Sequence, residues 1–294
     1  MEEMTTGLCP KCGHTLQIPA ELERFSCMYC GERLTKRQLL TQPEEASCSE
    51  EDCAVSFDHA VSRLGWCVQN FRGYQKKILR DAFFEAFETY ETGCAPVIQE
   101  LNSGVRPERQ TELLDRAAEA MLGELSAGWE KKNDMEDEKV ILAIFFVPMV
   151  RKLQLPVSEE FVSLLQKKWV ERYPKSPFYL GDYESISGGF RKKFLGLCFI
   201  TTAVCQELDK PDDCAELTAF RAFRDGYLAA QPDGEALIRE YYNIAPGIVT
   251  CINTCSDRHA SYERIREQYL TPCYEDLLAG RNADCKTRYV QMVR

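Results

Sequence analysis

Leu79-Arg80-Asp81-Ala82-Phe83-Phe84-Glu85-Ala86-Phe87-Glu88-Thr89-Tyr90 places Leu79, Ala82, Phe83, Ala86, Phe87 and Tyr90 at steps of three and four. Such steps return to one face of a 3.6-residue helix, so the stretch predicts an amphipathic helix. Further along, Leu113, Leu114, Ala117, Met121, Leu122 and Leu125 repeat the pattern, and Phe161, Leu164, Leu165 and Trp169 repeat it again. Gly104-Val105-Arg106-Pro107 and Tyr173-Pro174-Lys175-Ser176-Pro177 punctuate these segments. From about residue 60 onward no stretch shows sustained two-residue alternation. The body is therefore predicted to be all-α, built from hairpin-like helix pairs stacked as a short array without a fixed-period repeat.

The longest apolar run, Val140 to Val150 (VILAIFFVPMV), is eleven residues long and contains Pro148. A membrane span needs about 20 residues, so this run is predicted to be a buried core helix and no membrane partner is expected. Over 294 residues the chain is 45% hydrophobic and 28% charged, which excludes wholesale disorder. Its net charge of −10 argues against a whole-body attraction to nucleic acid or anionic lipid, while leaving room for a local basic patch. Met1 to Thr6 holds Glu2 and Glu3 and leads into no apolar segment, so a cytoplasmic location is expected. In that reducing setting the fifteen cysteines read as metal ligands, buried apolar groups or reactive thiols rather than disulfides.

Cys9-Pro10-Lys11-Cys12-Gly13 and Cys27-Met28-Tyr29-Cys30-Gly31 are two C-x2-C pairs with fourteen residues between them. Two intervening residues let a tight turn aim both sulfurs at one point, and the glycine that follows can take the left-handed conformation such a turn needs. Two such pairs supply a closed, tetrahedral four-sulfur shell for Zn2+ with no vacant position, hence a structural site. His14 is a rival fourth ligand, and four unligated buried thiols are the alternative to a metal. Residues 9 to 34 resemble the zinc-ribbon family, which implies short strands carrying Leu16, Ile18 and Phe25 over the ion. So few residues form no core unaided, and metal binding would supply much of the folding free energy. From residue 9 to 40, Lys11, Arg24, Arg33, Lys36 and Arg37 exceed Glu21, Glu23 and Glu32 by only two charges. This is too little for a basic stripe that reads nucleic acid, so protein contact is favoured.

Toward the other end, Cys198-Phe199-Ile200-Thr201-Thr202-Ala203, Arg221, Phe223-Arg224-Asp225, Tyr241-Tyr242 and Pro246 form a distinctive set. Residues 196 to 255 resemble the CFI-box C-terminal domain family, named for the Cys-Phe-Ile that opens it. The resemblance implies an architecture with an N-terminal zinc ribbon and implies no activity. Thr201-Thr202-Ala203 replaces the Ala-Thr-Ala common in that family, and a longer Pro211-Asp212-Asp213-Cys214 insertion follows.

Read as residues alone, Asp213 and Glu216 have capping-box spacing and predict a helix start after Pro211. That helix carries Leu217, Phe220, Arg224, Tyr227 and Leu228 on one face, with Arg221 at the edge and Asp225 pointing elsewhere. A guanidinium inside an apolar stripe needs a carboxylate, carbonyls or a bound anion, or it must snorkel outward. Gly234 and Glu235 open a second helix with Leu237, Ile238, Tyr241, Tyr242 and Ala245 on its apolar face, and Pro246 is predicted to end or restart it. A polar network of Cys198, Arg221, Arg224, Asp225, Tyr241 and Tyr242 is one reading; rings that simply pack, with hydroxyls reaching water, is the other.

Cys198 could serve as a nucleophile if a base or cation stabilised its thiolate, but Leu195, Leu197, Phe199 and Ile200 surround it with apolar groups. The histidines are His14, His59 and His259, all distant in sequence. No catalytic residue is assigned. Cys251, Cys255, Cys273 and Cys285 raise the question of a second metal site but lack paired C-x2-C spacing. The expected organisation is a zinc ribbon at 1–40, an acidic linker at 41–58, a helical domain at 59–190 and a CFI-box-like helical domain at 191–294. The chain reads as a zinc-binding protein-interaction or adaptor module, more readily than as an enzyme. The alternatives are a cysteine-dependent enzyme using Cys198 near Arg221 and Arg224, and nucleic-acid binding through the ribbon.

Overall fold

The computed structural model describes residues 4–10, 15–29, 31–36, 39, 50–131, 133–191, 198–254 and 257–294. Two compact units emerge, Met1–Ala54 and Val55–Arg294.

In the first unit, β1 (Met4–Leu8) pairs antiparallel with β2 (Thr15–Pro19), and β3 (Arg24–Ser26) pairs antiparallel with β4 (Arg33–Thr35). β2 alternates in the way a half-covered strand should, burying Leu16 and Ile18 and exposing Thr15, Gln17 and Pro19. Leu16, Ile18, Leu34, Leu39, Cys9 and Cys27 form one small core, with Phe25 of β3 packed on it.

The second unit is mainly helical, as the three- and four-residue stripes predict. Its helices are α1 (Glu50–Leu64), whose first residues precede the unit boundary, and α2 (Trp66–Gln69), α3 (Phe83–Gly104), α4 (Gln110–Ala127), α5 (Asp134–Ile141), α6 (Val147–Lys152) and α7 (Ser158–Arg172). α8 (Tyr183–Arg191), α9 (Phe199–Glu207), α10 (Ala215–Ala222), α11 (Gly234–Asn253), α12 (Arg258–Ile265), α13 (Thr271–Leu278) and α14 (Asn282–Val293) follow. Wide π-helical turns join α5 to α6 (Leu142–Phe146), extend α10 (Phe223–Leu228) and join α12 to α13 (Arg266–Leu270). Among the described residues, no helix is long and apolar enough to cross a membrane.

Three expectations need correction. The acidic run was expected to be an extended linker; its described part, residues 50–58, instead begins α1. Glu50, Glu51 and Asp52 occupy the first turn and Arg63 the last, an arrangement that the helix dipole favours at both ends. Phe57, Ala60 and Leu64 then face the core. Second, α11 runs straight through Pro246. The helix passes so close to Ile78 that a Cβ on Gly247 would lie 2.0 Å from its carbonyl oxygen. Packing there outweighs the lost backbone hydrogen bond. Third, α10 takes Cys214 rather than Asp213 as its N-cap, with no side-chain cap bond, because Glu216 turns to Lys210 instead.

Two apolar cores lie within this unit. The first gathers α1 to α8 around Phe83, Phe87, Tyr90, Phe145 and Phe190, with Phe83 stacked on Phe190 at 4.3 Å. Val140–Val150 is the buried helical run expected of it: every residue from Ile141 to Val150 is buried, each large side chain contributing roughly 2 kcal/mol. The second core gathers α9 to α14 around Cys198, Ile200, Phe220, Tyr241, Cys273 and Cys285. α11 joins the two. On one side Asn243 accepts from Arg80 N–H at 3.0 Å and binds Asp81 through its side chain; on the other side it carries Tyr241 and Tyr242.

Candidate functional site

Cys198 stands at the N-cap of α9 and makes no side-chain cap bond. The first amides of a helix need acceptors, and one comes from the second core: Ile200 N–H donates to the Tyr241 hydroxyl at 3.0 Å. Tyr241 thus replaces the capping side chain that cysteine does not supply. The adjacent Tyr242 accepts from Arg224 Nη1 at 3.0 Å, and the same nitrogen lies 3.6 Å from the Cys198 sulfur.

Arg224 reaches this position from the wide turn after α10. There Ala229 N–H bonds back five residues to the Arg224 carbonyl at 3.0 Å, the signature of a π-type insertion, which often marks a site with a specific task. The guanidinium fork is completed by Asp225, whose carboxylate accepts from Nε and Nη2 at 2.7 and 2.8 Å. Helical rotation predicts Asp225 to point away from Arg224. Its carboxylate is indeed 65% exposed, yet the long arginine side chain reaches it at the edge of the core. Arg224 is therefore a structural pair with its polar end satisfied, as a nearly buried cation requires.

Arg221 belongs to a different cluster. It donates to the Asp212 carbonyl at 2.8 Å and to its carboxylate at 2.7 Å, holding the loop before α10. Tyr289 of α14 completes the site and carried no weight in the sequence reading. Its ring lies 5.6 Å from that of Tyr241, and its hydroxyl is 3.4 Å from Thr201 Oγ1. The available signal was the apolar stripe Cys285, Tyr289 and Val293 on the last helix.

Electrostatics follow from burial. Cys198 is 2% exposed, and desolvation raises its thiol above the usual value, although Arg224 and Arg221 pull it down. Burial likewise raises Tyr241, Tyr242 and Tyr289. Arg224 holds the Asp225 carboxyl below its usual range, and Asp225 in turn raises Arg224. The cavity bordered by Cys198, Phe220, Arg224, Tyr241 and Tyr289 measures about 30 Å³, room for one water. His59 pairs with Glu100 at 2.6 Å, and His259 with Glu207 at 3.3 Å. Glu207 ends the helix that Cys198 begins, so His259 sits at the other end, about 14 Å along it. Among the described residues the cluster sets no histidine or carboxylate against the desolvated Cys198 thiol, and it works as a clamp joining α9, the wide turn and α11.

In the first unit, Cys9 directly follows β1, and Cys27 directly follows β3. Cys9 and Cys27 are 1% and 2% exposed in the shared core. Cys27 N–H donates to the Glu32 carbonyl at 2.8 Å, and Gly31 N–H to the Cys27 carbonyl at 2.9 Å. Gly31 has φ of +72°, a backbone state that disfavours other residues. Cys12, His14 and Cys30 lie outside the described residues. Of the later cysteines, Cys251 packs on the first core while Cys273 and Cys285 sit together in the second, with the Cys273 sulfur 3.8 Å from the Cys285 carbonyl. Cys255 lies outside the described residues, among which no group of three or more metal-ligating side chains gathers. Comparison of the chain with protein-family models, curated proteins and solved structures finds no match.

Proposed function

We propose that this chain is a protein-interaction module whose N-terminal hairpins are a zinc ribbon and whose C-terminal helices are a CFI-box-like domain with a structural role, acting in a reducing, cytoplasmic setting. Cys9, Cys12, Cys27 and Cys30 would hold the ion. Four thiolates leave it no open position, so it would cross-link two hairpins rather than activate a substrate. Supporting the metal are the C-x2-C spacing of both pairs, the buried Cys9 and Cys27 just after β1 and β3, and the left-handed Gly31. Supporting a structural role for the C-terminal site are a desolvated Cys198 thiol and the carboxylate-paired Arg224.

The observation that carries the interaction reading is at the second turn. Met28 is 75% and Tyr29 58% exposed, directly after the buried Cys27. Two large apolar side chains held outward by a rigid knuckle are anchors suited to an apolar groove on a protein partner. A photoreactive phenylalanine at position 29 of the full chain tests this in cells, with position 55 as the control because Val55 is 68% exposed. A discrete protein adduct from position 29, absent from position 55 and lost in Met28→Ser, is the expected result. Equal adduct patterns from both positions would overturn it, and adducts to nucleic acid would favour ribbon-mediated nucleic-acid binding instead. Native mass spectrometry checks the metal: one zinc per chain, absent in Cys27→Ser.

A further inference from the structure

Three pairs of cysteines lie together in the helical unit. In two of them both members are fully buried: Cys67 with Cys94, and Cys273 with Cys285. The third pair differs. Cys205, on the last turn of α9, is 4% exposed, whereas Cys214, at the N-cap of α10, is half-buried and reachable from solvent. Their sulfurs are 3.8 Å apart, van der Waals contact, so closing to a bond length of about 2.05 Å asks for a shift of under 2 Å.

The loop between them is built to hold that approach. Lys210 N–H bonds to the Cys205 carbonyl at 2.9 Å and Asp209 N–H to the Gln206 carbonyl at 3.1 Å, the two bonds of a Schellman cap. Asp209 takes the left-handed position with φ of +52°, a place usually given to glycine. Pro211 then turns the chain, and Cys214 N–H closes the turn on the Pro211 carbonyl at 3.1 Å. Two ion pairs brace the return, Lys210 with Glu216 and Arg221 with Asp212.

The surroundings suit thiol chemistry. Cys214 stands at the N-cap of an eight-residue helix and is half-buried, so a small oxidant can reach its sulfur. A cavity of about 110 Å³ borders Cys205 and is lined by Lys210, Glu216 and Arg266. The Arg266 Nε is buried and has no hydrogen-bond partner among the described residues. Burial and the neighbouring Cys214 push the Cys205 thiol up to about 12, so the two sulfurs are chemically unequal.

We infer that Cys205 and Cys214 are a redox-active dithiol that hydrogen peroxide converts to a reversible intramolecular disulfide. The Cys214 thiolate attacks one peroxide oxygen. The O–O bond breaks, the sulfur loses two electrons, and the departing hydroxide takes a proton to become water. The resulting sulfenic acid is then attacked by the Cys205 sulfur. The S–S bond forms as the S–O bond breaks, and hydroxide leaves with the Cys205 proton as a second water. Two thiols and one peroxide thus yield one disulfide and two waters. The inference is independent of the metal and of the partner proposed above.

The test uses the full reduced chain with a few equivalents of hydrogen peroxide at neutral pH, quenched by alkylation under denaturing conditions. Cleavage before Asp209 and Asp212 separates the two cysteines for mass spectrometry. A Cys205–Cys214 linked peptide pair is expected, lighter by two hydrogens than the two thiol peptides together. It should be reversed by dithiothreitol and at least tenfold more abundant than links within the two buried pairs. In Cys214→Ser, an exchange of similar size that keeps the half-buried position filled, Cys205 should remain alkylated. Recovery of both cysteines as alkylated thiols would overturn the inference, as would Cys214 stopping at sulfinic acid with Cys205 alkylated.

Discussion

Arg224 Nη1 donates to the Tyr242 hydroxyl at 3.0 Å, tying the wide turn after α10 to the middle of α11. Tyr242→Phe removes one partner and is expected to cost about 1 kcal/mol; Arg224→Met removes the same bond and the pairing with the largely exposed Asp225, and should cost about 2 kcal/mol. The double variant should fall short of the sum by about 1 kcal/mol, because the two groups share one bond. Urea denaturation of the four proteins measures this, and strictly additive costs would mean that the hydroxyl and the guanidinium act separately.

Cys198 should resist alkylation in the native chain at neutral pH, since its thiol is desolvated and raised. Half-buried Cys214 should react at least tenfold faster with iodoacetamide, and the two should converge in urea. Peptide mapping over a time course reads both rates. Selective labelling of Cys198 would instead revive the cysteine-enzyme reading.

Glu138 is fully buried in the first core and is shared by Arg72, at 2.7 Å, and the Trp129 indole N–H, at 2.8 Å. Glu138→Gln keeps the shape but leaves the arginine without its counter-charge, with an expected loss of about 3 kcal/mol. The denaturation midpoint should fall while the denaturant slope stays constant. An unchanged midpoint would show that the pair makes no net contribution.

Stability should be flat near neutrality and decline on both sides. On the alkaline side, Cys198, Cys205, Tyr241 and Tyr289 are raised by burial. The folded state therefore keeps protons that the unfolded chain gives up, and stability falls as pH rises beyond the unfolded thiol value of about 8.5. On the acid side, Asp225 is held low by Arg224, Glu216 by Lys210 and Asp182 by the Ser185 amide. Their contribution is present above the unfolded carboxylate value of about 4 and is lost as pH drops through and below it. Urea midpoints from pH 3 to 10 should trace a plateau with two falling edges, and a rise beyond pH 9 would contradict the assignment.

How much of this was readable beforehand depends on the range of the interaction. Phe83 to Tyr90 announced the start of α3 because the spacing of apolar residues is a local property, as did the buried run from Val140, whereas Leu79 to Ala82, on the same stripe, form the turn that precedes the helix. Arg224 was recognisable as a cation on an apolar face that needs partners, because its Leu217 and Phe220 neighbours lie within two turns. Its carboxylate partner, Asp225, points outward as rotation predicts, but the pairing was not foreseen because rotation by residue number ignores the reach of a long side chain. Pro246 looked like a stop until Ile78, far away in sequence, supplied the packing that carries the helix through it. The Asp212 partner of Arg221, the Arg72–Glu138–Trp129 group and Tyr289 all depend on how distant segments meet, which no local pattern encodes.

The wide turn from Phe223 to Leu228 holds one residue more than a regular helix would need there. Shortening this segment by a single amino acid would let it tighten into a uniform coil. The side chains inside the segment, Arg224 among them, would then shift around the axis relative to Tyr242 and Cys198. A one-residue deletion here should therefore release the bridge between α9 and α11 as surely as replacing Arg224 would, so the segment is constrained in its register as well as in that side chain.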